Sequence, residues 1–399
     1  MGRMGSVRDD AYALTDEITE LRHAIHREPE IGLQLPKTQQ KVLAALSDLP
    51  LEVTSGNSLT SVTAVLRGGR PGPTVLLRGD MDALPVTERT GLDYSSDLPG
   101  AMHACGHDTH VAMLAGAARV LSARREQLAG NVIFMFQPGE EGCGGARYMI
   151  EEGVLDAAGE RPAAAYALHV FSAELGIGVC TSRVGPMLAA SDSLEVTVHG
   201  RGGHGSRPFR AADPVPVLCE IVTALQTLVT RRFDVFDPVV ITVGSIHGGT
   251  AKNVIPDTAS FSATVRTFSA EARASVRAAS VALVRQIAAA HGLRADAEYG
   301  DGYPVTVNDG TEVARAREVI AGTLGDGRFV AAPHPDPGAE DFSYVLEQVP
   351  GAFIGIGACP PAADPASAPT NHSAEAVFDD AVLADGTALY AALALSWLS

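Results

Sequence analysis

Asn131–Gly145 reads NVIFMFQPGEEGCGG. The first six residues are apolar apart from Asn131 and show no alternation. Such a run fits a strand buried on both faces, and the Pro-Gly pair after it breaks the strand. Two other stretches repeat the pattern. Thr74–Leu77 (TVLL) stops at Arg78-Gly79-Asp80, and Ala163–Leu168 (AAAYAL) ends at His169. Between the first two runs, His110–Leu128 has the spacing of an amphipathic helix. Buried strands separated by helices predict an α/β fold: a mixed, mostly parallel sheet flanked by helices. In such sheets functional groups lie just past the carboxyl ends of the strands. The polar clusters of this chain fall at those points.

Reading outward, Asp9–Leu49 is helical. Ser191–Gly300 differs in character. Ser193–His199 (SLEVTVH) alternates, as a half-exposed strand does. A helix over Asp213–Thr230 follows, then strands over Val239–His247 and Thr258–Phe268. A helix over Ala270–His291 and a strand over Ala295–Tyr299 complete the segment. The order β-α-β-β-α-β predicts an inserted ferredoxin-like α+β domain. Tyr303–Ser399 returns to helix, strand and helix. The expected division is a discontinuous catalytic domain, residues 1–190 and 301–399, and an inserted domain, residues 191–300.

The net charge of −17 repels phosphate backbones and anionic lipid, which argues against nucleic acid and membrane surfaces as partners. No apolar run approaches the roughly 20 residues that span a bilayer. The opening MGRMGSVRDD lacks the apolar segment of a secretory signal. Gly2 with Ser6 fits a myristoylation pattern, and Asn371-His372-Ser373 a glycosylation sequon. Both are read as chance. Five cysteines, sparse and odd in number, are no disulfide framework, and the expected compartment is the cytoplasm.

The chemistry concentrates in a few clusters. Met102–His110 is MHACGHDTH. Cys105 and His107 flank one glycine, so a thiolate and an imidazole can face one metal ion or two adjacent ones. Asp108 or Thr109 is placed to cap the helix that follows. Glu140 and Glu141 come directly after a strand. Their repulsion costs energy unless a cation lies beside them. Adjacent side chains diverge, so one can bind metal while the other moves a proton. His169 and His372 are single histidines. Asp80 and Asp82 suit either ligation or the orientation of a ligand histidine. Together these residues fit a metal site with an open position for water, as in a metal-dependent hydrolase. Two other readings stay open: a cysteine hydrolase with Cys105 as nucleophile and His107 as base, and a metal-binding protein without turnover. The ligand types suit Zn²⁺ or Mn²⁺, with Co²⁺ or Ni²⁺ as further candidates.

The chain resembles a known family nearly end to end. The matching pieces are LRHAIHREPEIG (Leu21–Gly32), LLRGDMDALPV (Leu76–Val86), MHACGHDTH, QPGEEG and ALHV (Ala167–Val170). GRGGHGSRP (Gly200–Pro208), GGTAKNVIPD (Gly248–Asp257), VRTF (Val265–Phe268), GAEDFSYV (Gly338–Val345) and NHS (Asn371–Ser373) follow. They resemble the aminoacylase, hippurate hydrolase and indoleacetyl-amino-acid hydrolase family. That family belongs to a wider clan of dinuclear metallopeptidases that includes glutamate carboxypeptidases.

The resemblance implies two divalent metal ions bridged by Cys105, where most of the clan uses aspartate. His107 and His169 would complete one ion, Glu141 and His372 the other. Glu140 would be the general base. The clan has His-x-Asp where this chain has Asp80-Met81-Asp82, so Asp80 would not be a ligand and Asp82 would act from behind the ligands. The insert resembles a lid or dimerisation domain, which implies a homodimer or higher homo-oligomer. His204 and Asn253 match residues that reach the partner subunit's site and stabilise the oxyanion. Arg266 matches a residue that binds the substrate carboxylate. The implied substrate is an N-acyl amino acid (N-acetyl, N-benzoyl or similar), with a dipeptide or carboxypeptidase substrate as the alternative. Cys143 departs from the usual small residue or proline and is read as filler.

Overall fold

The three apolar runs form the centre of one sheet. The computed structural model describes residues 6–399, so Gly2 of the myristoylation pattern lies outside the described residues. Arg70–Asp80 runs parallel to Ala129–Gln137 on one side and to Ala164–Phe171 on the other. Gly351–Gly357 continues the sheet in parallel beyond Ala164–Phe171. Antiparallel strands Val62–Arg67 and Leu51–Ser55 extend one edge. Cys180–Ser182 and Phe329–Ala331 extend the other, giving a mixed, mostly parallel eight-stranded sheet. Val75, Leu77, Val132, Phe134, Phe136, Tyr166, Leu168 and Ile354 are fully buried in one core. Leu76, Ile133 and Met135 on the opposite face are fully buried as well, which is why these strands lack alternation.

The helix between the first two strands runs His107–Ala123, not His110–Leu128, and it is not amphipathic. Residues 107–118 are all buried. Ala112, Ala115, Gly116, Ala117 and Ala118 keep it thin enough for close packing, and a Cβ at Gly116 would meet Thr387 Oγ1 at 2.7 Å. Helix Ala381–Leu398 packs against it. This 18-residue helix is long and apolar enough to cross a membrane, by length and composition, but 72% of it is buried inside the protein. Its apolar character serves the core.

The chain divides into two compact units. One comprises residues up to Met187, Val307–His334 and Asp341–Ser399, and holds the eight-stranded sheet. The other comprises Leu188–Thr306 and Pro335–Glu340. In this second unit Ala190–His199, Pro214–Arg232, Val239–Gly248, Thr258–Thr267, Ala270–Ala290 and Arg294–Tyr303 follow one another as β-α-β-β-α-β. The four strands pair antiparallel in the spatial order fourth, first, third, second. Leu194, Val196 and Val198 alternate inward, against Ile221 and Leu225 of one helix and Val276 and Val284 of the other. Asp213 accepts the Val215 N–H and Ser269 the Ala272 N–H, so both helices start at side-chain caps.

Candidate metal centre

One strand, a helix start and the loops of the first unit bring Cys105, His107, Glu141, His169 and His372 to one place. Cys105, Gly106 and His107 form the turn into the helix His107–Ala123. Gly106 has φ +80°, and a Cβ there would lie 2.4 Å from Val170 Cγ2. Only glycine fits between the thiol and the imidazole. Neither Asp108 nor Thr109 caps this helix, contrary to expectation. Asp108 Oδ2 instead accepts from Arg22 Nε at 2.8 Å and lies 2.8 Å from His26 Nδ1. Thr109 Oγ1 donates backwards to the Gly106 carbonyl at 2.6 Å. Asp108 is committed to a buried ion network instead of a cap.

His372 projects from a loop with φ 71°, held by its N–H donating to the Ala104 carbonyl at 2.8 Å. A non-glycine residue in this region is strained and is kept only where its surroundings enforce it. The neighbouring Asn371 is committed as well. Its Nδ2 donates to the Val170 carbonyl at 2.9 Å and lies 3.7 Å from Cys105 Sγ, while its Oδ1 accepts the Ser172 N–H at 3.0 Å.

Two donor triads share Cys105. The ligand atoms of Cys105, His107 and His169 lie within 4.8 Å of one another, and so do those of Cys105, Glu141 and His372. Cys105 Sγ is 3.4 Å from His169 Nε2, and His372 Nε2 is 3.1 Å from Glu141 Oε1. His169 Nδ1 donates to the Val170 carbonyl at 2.9 Å, which leaves the Nε2 lone pair facing the thiol. His107 is fully buried, yet neither ring nitrogen makes a hydrogen bond. Asp80 Oδ2 and Asp82 Oδ1 stand 3.5 Å from its two nitrogens. Glu141 Oε1 also lacks a hydrogen bond of good geometry. Each such orphan costs about 1–3 kcal/mol. Cations placed among these atoms would satisfy them, so the donor set fits a pair of divalent ions.

The electrostatics agree. Burial alone would push the Cys105 thiol up, but His169 and His107 outweigh it and hold the group well below its ordinary value. Burial raises Glu141, against the pull of His372. Cys105, then Glu141, raises His372 to about 10. Metal binding requires such groups deprotonated and would displace any protons they carry.

Other groups brace the site. Asp82 Oδ1 accepts the Glu140 N–H at 2.9 Å and Oδ2 the Glu141 N–H at 3.0 Å. The buried Arg78 reaches Gln137 Oε1 at 2.9 Å, Asp80 Oδ2 at 2.7 Å and Asp341 Oδ1 at 3.1 Å. Asp341 Oδ2 accepts the Ala146 N–H at 2.9 Å. Arg78 and Asp341 escaped the sequence reading as site residues. The available signal was an arginine directly following a buried apolar run.

His204, Asn253 and Arg266 belong to the second unit. His204 is exposed, in the short pair Gly203–His204 with Val254–Ile255. Its Nδ1 accepts the Ser206 N–H at 3.2 Å, so the proton sits on Nε2. The exposed Asn253 accepts the Gly205 N–H on its carbonyl at 2.8 Å. Arg266 lies on Thr258–Thr267, with its Nη1 buried and without a hydrogen bond. Burial lowers its pKa from the ordinary value.

Residues 76–396 match Peptidase family M20/M25/M40. The chain is 34% identical over its whole length to thermostable carboxypeptidase 2 of Saccharolobus solfataricus, covering 99% of that protein. It is 36% identical to N-acetyl-L-cysteine deacetylase of Bacillus subtilis, over 86% of this chain and 81% of that one. It is also 36% identical to an IAA-amino acid hydrolase of Arabidopsis thaliana, over 96% and 85%. Among solved structures, a dinuclear metal-binding peptidase of the M20 family from Bacillus subtilis superposes with a TM-score of 0.83 at 32% identity, covering 96% of this chain and 98% of that one. On these matches, the chain belongs to the M20/M25/M40 peptidase family.

Proposed function

We propose that the protein is a metal-dependent amidohydrolase that splits an N-acyl amino acid into a carboxylate and a free amino acid. The observation that carries this reading is the pair of donor triads sharing Cys105, with the buried Glu140 beside them. Cys105, His107 and His169 would hold one ion, and Cys105, Glu141 and His372 the other. When bound, two such ions, Zn²⁺ or Mn²⁺, polarise the amide carbonyl and acidify water. Glu140 takes a proton from the attacking water as the C–O bond forms. It delivers that proton to the nitrogen as the C–N bond breaks. Asp82 keeps Glu140 in place through the backbone.

The second unit is assigned as a lid that also joins two copies of the chain. The Nε2–H of His204 suits an oxyanion, with Asn253 beside it in the pairing described above. The orphaned Nη1 of Arg266 suits the substrate carboxylate. All five cysteines are free, in keeping with the cytoplasm. The full-length match to a carboxypeptidase supports a second reading, cleavage of peptides at the same site. A panel of N-acetyl, N-benzoyl and indoleacetyl amino acids against dipeptides, scored by release of free amine, separates the two. Turnover confined to dipeptides would overturn the first.

A further inference from the structure

His110 stands next to the two triads without belonging to either. It is fully buried, its ring centroid 5.4 Å from that of His107 and 4.9 Å from that of His169. By distance alone it could take part in ligation, because the ligand atoms of Asp80, His107 and His110 lie within 4.8 Å of one another. Its hydrogen bonds oppose that role. The Val170 N–H donates to His110 Nε2 at 2.9 Å, so that lone pair is used. Nδ1 therefore carries the proton, and it points at Asp80 Oδ1, 2.5 Å away. The other Asp80 oxygen accepts from Arg78 Nη1 at 2.7 Å. A guanidinium at that distance opposes a cation on the same carboxylate.

We infer that His110 is a positioning residue rather than a ligand. It ties the backbone beside His169 to the carboxylate that faces His107. Val170 directly follows His169, and its carbonyl also accepts His169 Nδ1–H and Asn371 Nδ2–H. Val170 thus sets the aim of the His169 ring through its carbonyl. His110 fixes the same residue through its N–H, and Asp80 in turn holds His110. The same bonds close the Asp80 side to a third ion. The inference rests on the two-ion reading of the site, and the experiment keeps the two apart.

Metal-free wild-type, H110Q and H110N proteins are titrated with Co²⁺. Calorimetry gives stoichiometry and affinity, and the near-ultraviolet thiolate-to-Co²⁺ band reports Cys105. Glutamine can place its carbonyl oxygen near the Nε2 position and keep the Val170 bond. Asparagine can place its amide nitrogen near the Nδ1 position and keep only the Asp80 bond. The wild type should bind two equivalents, and any other number sinks the two-ion reading and this inference with it. Both variants should still bind two equivalents and keep the thiolate band, with affinity weakened by about 10–100-fold. H110Q should be the less affected. Melting of the metal-free proteins serves as the control, because a purely structural role would lower the melting temperature and leave Co²⁺ affinity unchanged. Loss of one whole equivalent in both variants would make His110 a ligand. Wild-type affinities would remove its positioning role. If H110N does not fold, H110Q and D80N test the same two bonds.

Discussion

Asp82 Oδ1 accepts the backbone N–H of Glu140 at 2.9 Å, and its second oxygen does the same for Glu141. One carboxylate therefore fixes the peptide from which both glutamates project. Hydrogen bonds to an ionised acceptor are roughly twice as strong as neutral ones. Asp82→Asn leaves one of the two N–H groups facing an amide that cannot accept. The expected result is a kcat lowered by about 10–100-fold with KM little changed, read by steady-state kinetics. A wild-type kcat would remove Asp82 from the mechanism.

Glu140→Gln keeps the shape of the side chain and removes its basicity. Metal content, measured on the purified variant, should equal that of the wild type. Turnover should fall by about 10²–10⁴-fold, the usual worth of a general base. Lost metal together with lost turnover would make Glu140 a ligand instead.

Gly106→Ala should disturb both fold and site. The φ of +80° strains any L side chain, and the new methyl would meet Val170 Cγ2 at 2.4 Å. The positive φ alone costs on the order of 1–3 kcal/mol. A lower melting temperature and weaker metal binding are expected together. An unchanged melting temperature would show that the turn can relax.

Part of the candidate ligand set was legible because its members sit where apolar runs stop. Glu140 and Glu141 follow NVIFMF, and His169 closes AAAYAL. The order of elements in the second unit was legible from alternation and helical spacing. His110 was not, because a ligand and a strut are the same residue type, and only the Val170 N–H separates the two roles. Arg22 and His26 were hidden in a helix. No local pattern says that their partner Asp108 lies 86 and 82 residues away. The helix His107–Ala123 misled in the opposite sense, because small residues let it bury faces that the amphipathic spacing suggested were exposed.

That buried network carries a pH signature. Burial alone would lower the His26 pKa, but Asp108 and Glu88 outweigh it and bring the group from 6.5 to about 9. A raised folded value stabilises fully below 6.5, and this is lost as pH rises through about 9. Burial alone would raise Glu88, but His26 and Thr90 bring it from 4.5 to about 2. Its contribution is full above 4.5 and is lost as pH falls towards 2. The melting-temperature gap between metal-free wild type and His26→Gln should be widest from pH 4.5 to 6.5 and narrow towards pH 9. A gap constant with pH would contradict the ion pairing.

The central claim is that turnover depends on two ions held around a shared Cys105. Its most direct test is stepwise addition of Mn²⁺ or Zn²⁺ to metal-free protein, with free amine release from an N-acyl amino acid measured at each step. The account predicts no turnover without metal, a rise that ends at two equivalents, and loss on adding a chelator. Activity that survives the chelator, with an acyl group trapped as a thioester on Cys105, would contradict it and make the cysteine a nucleophile.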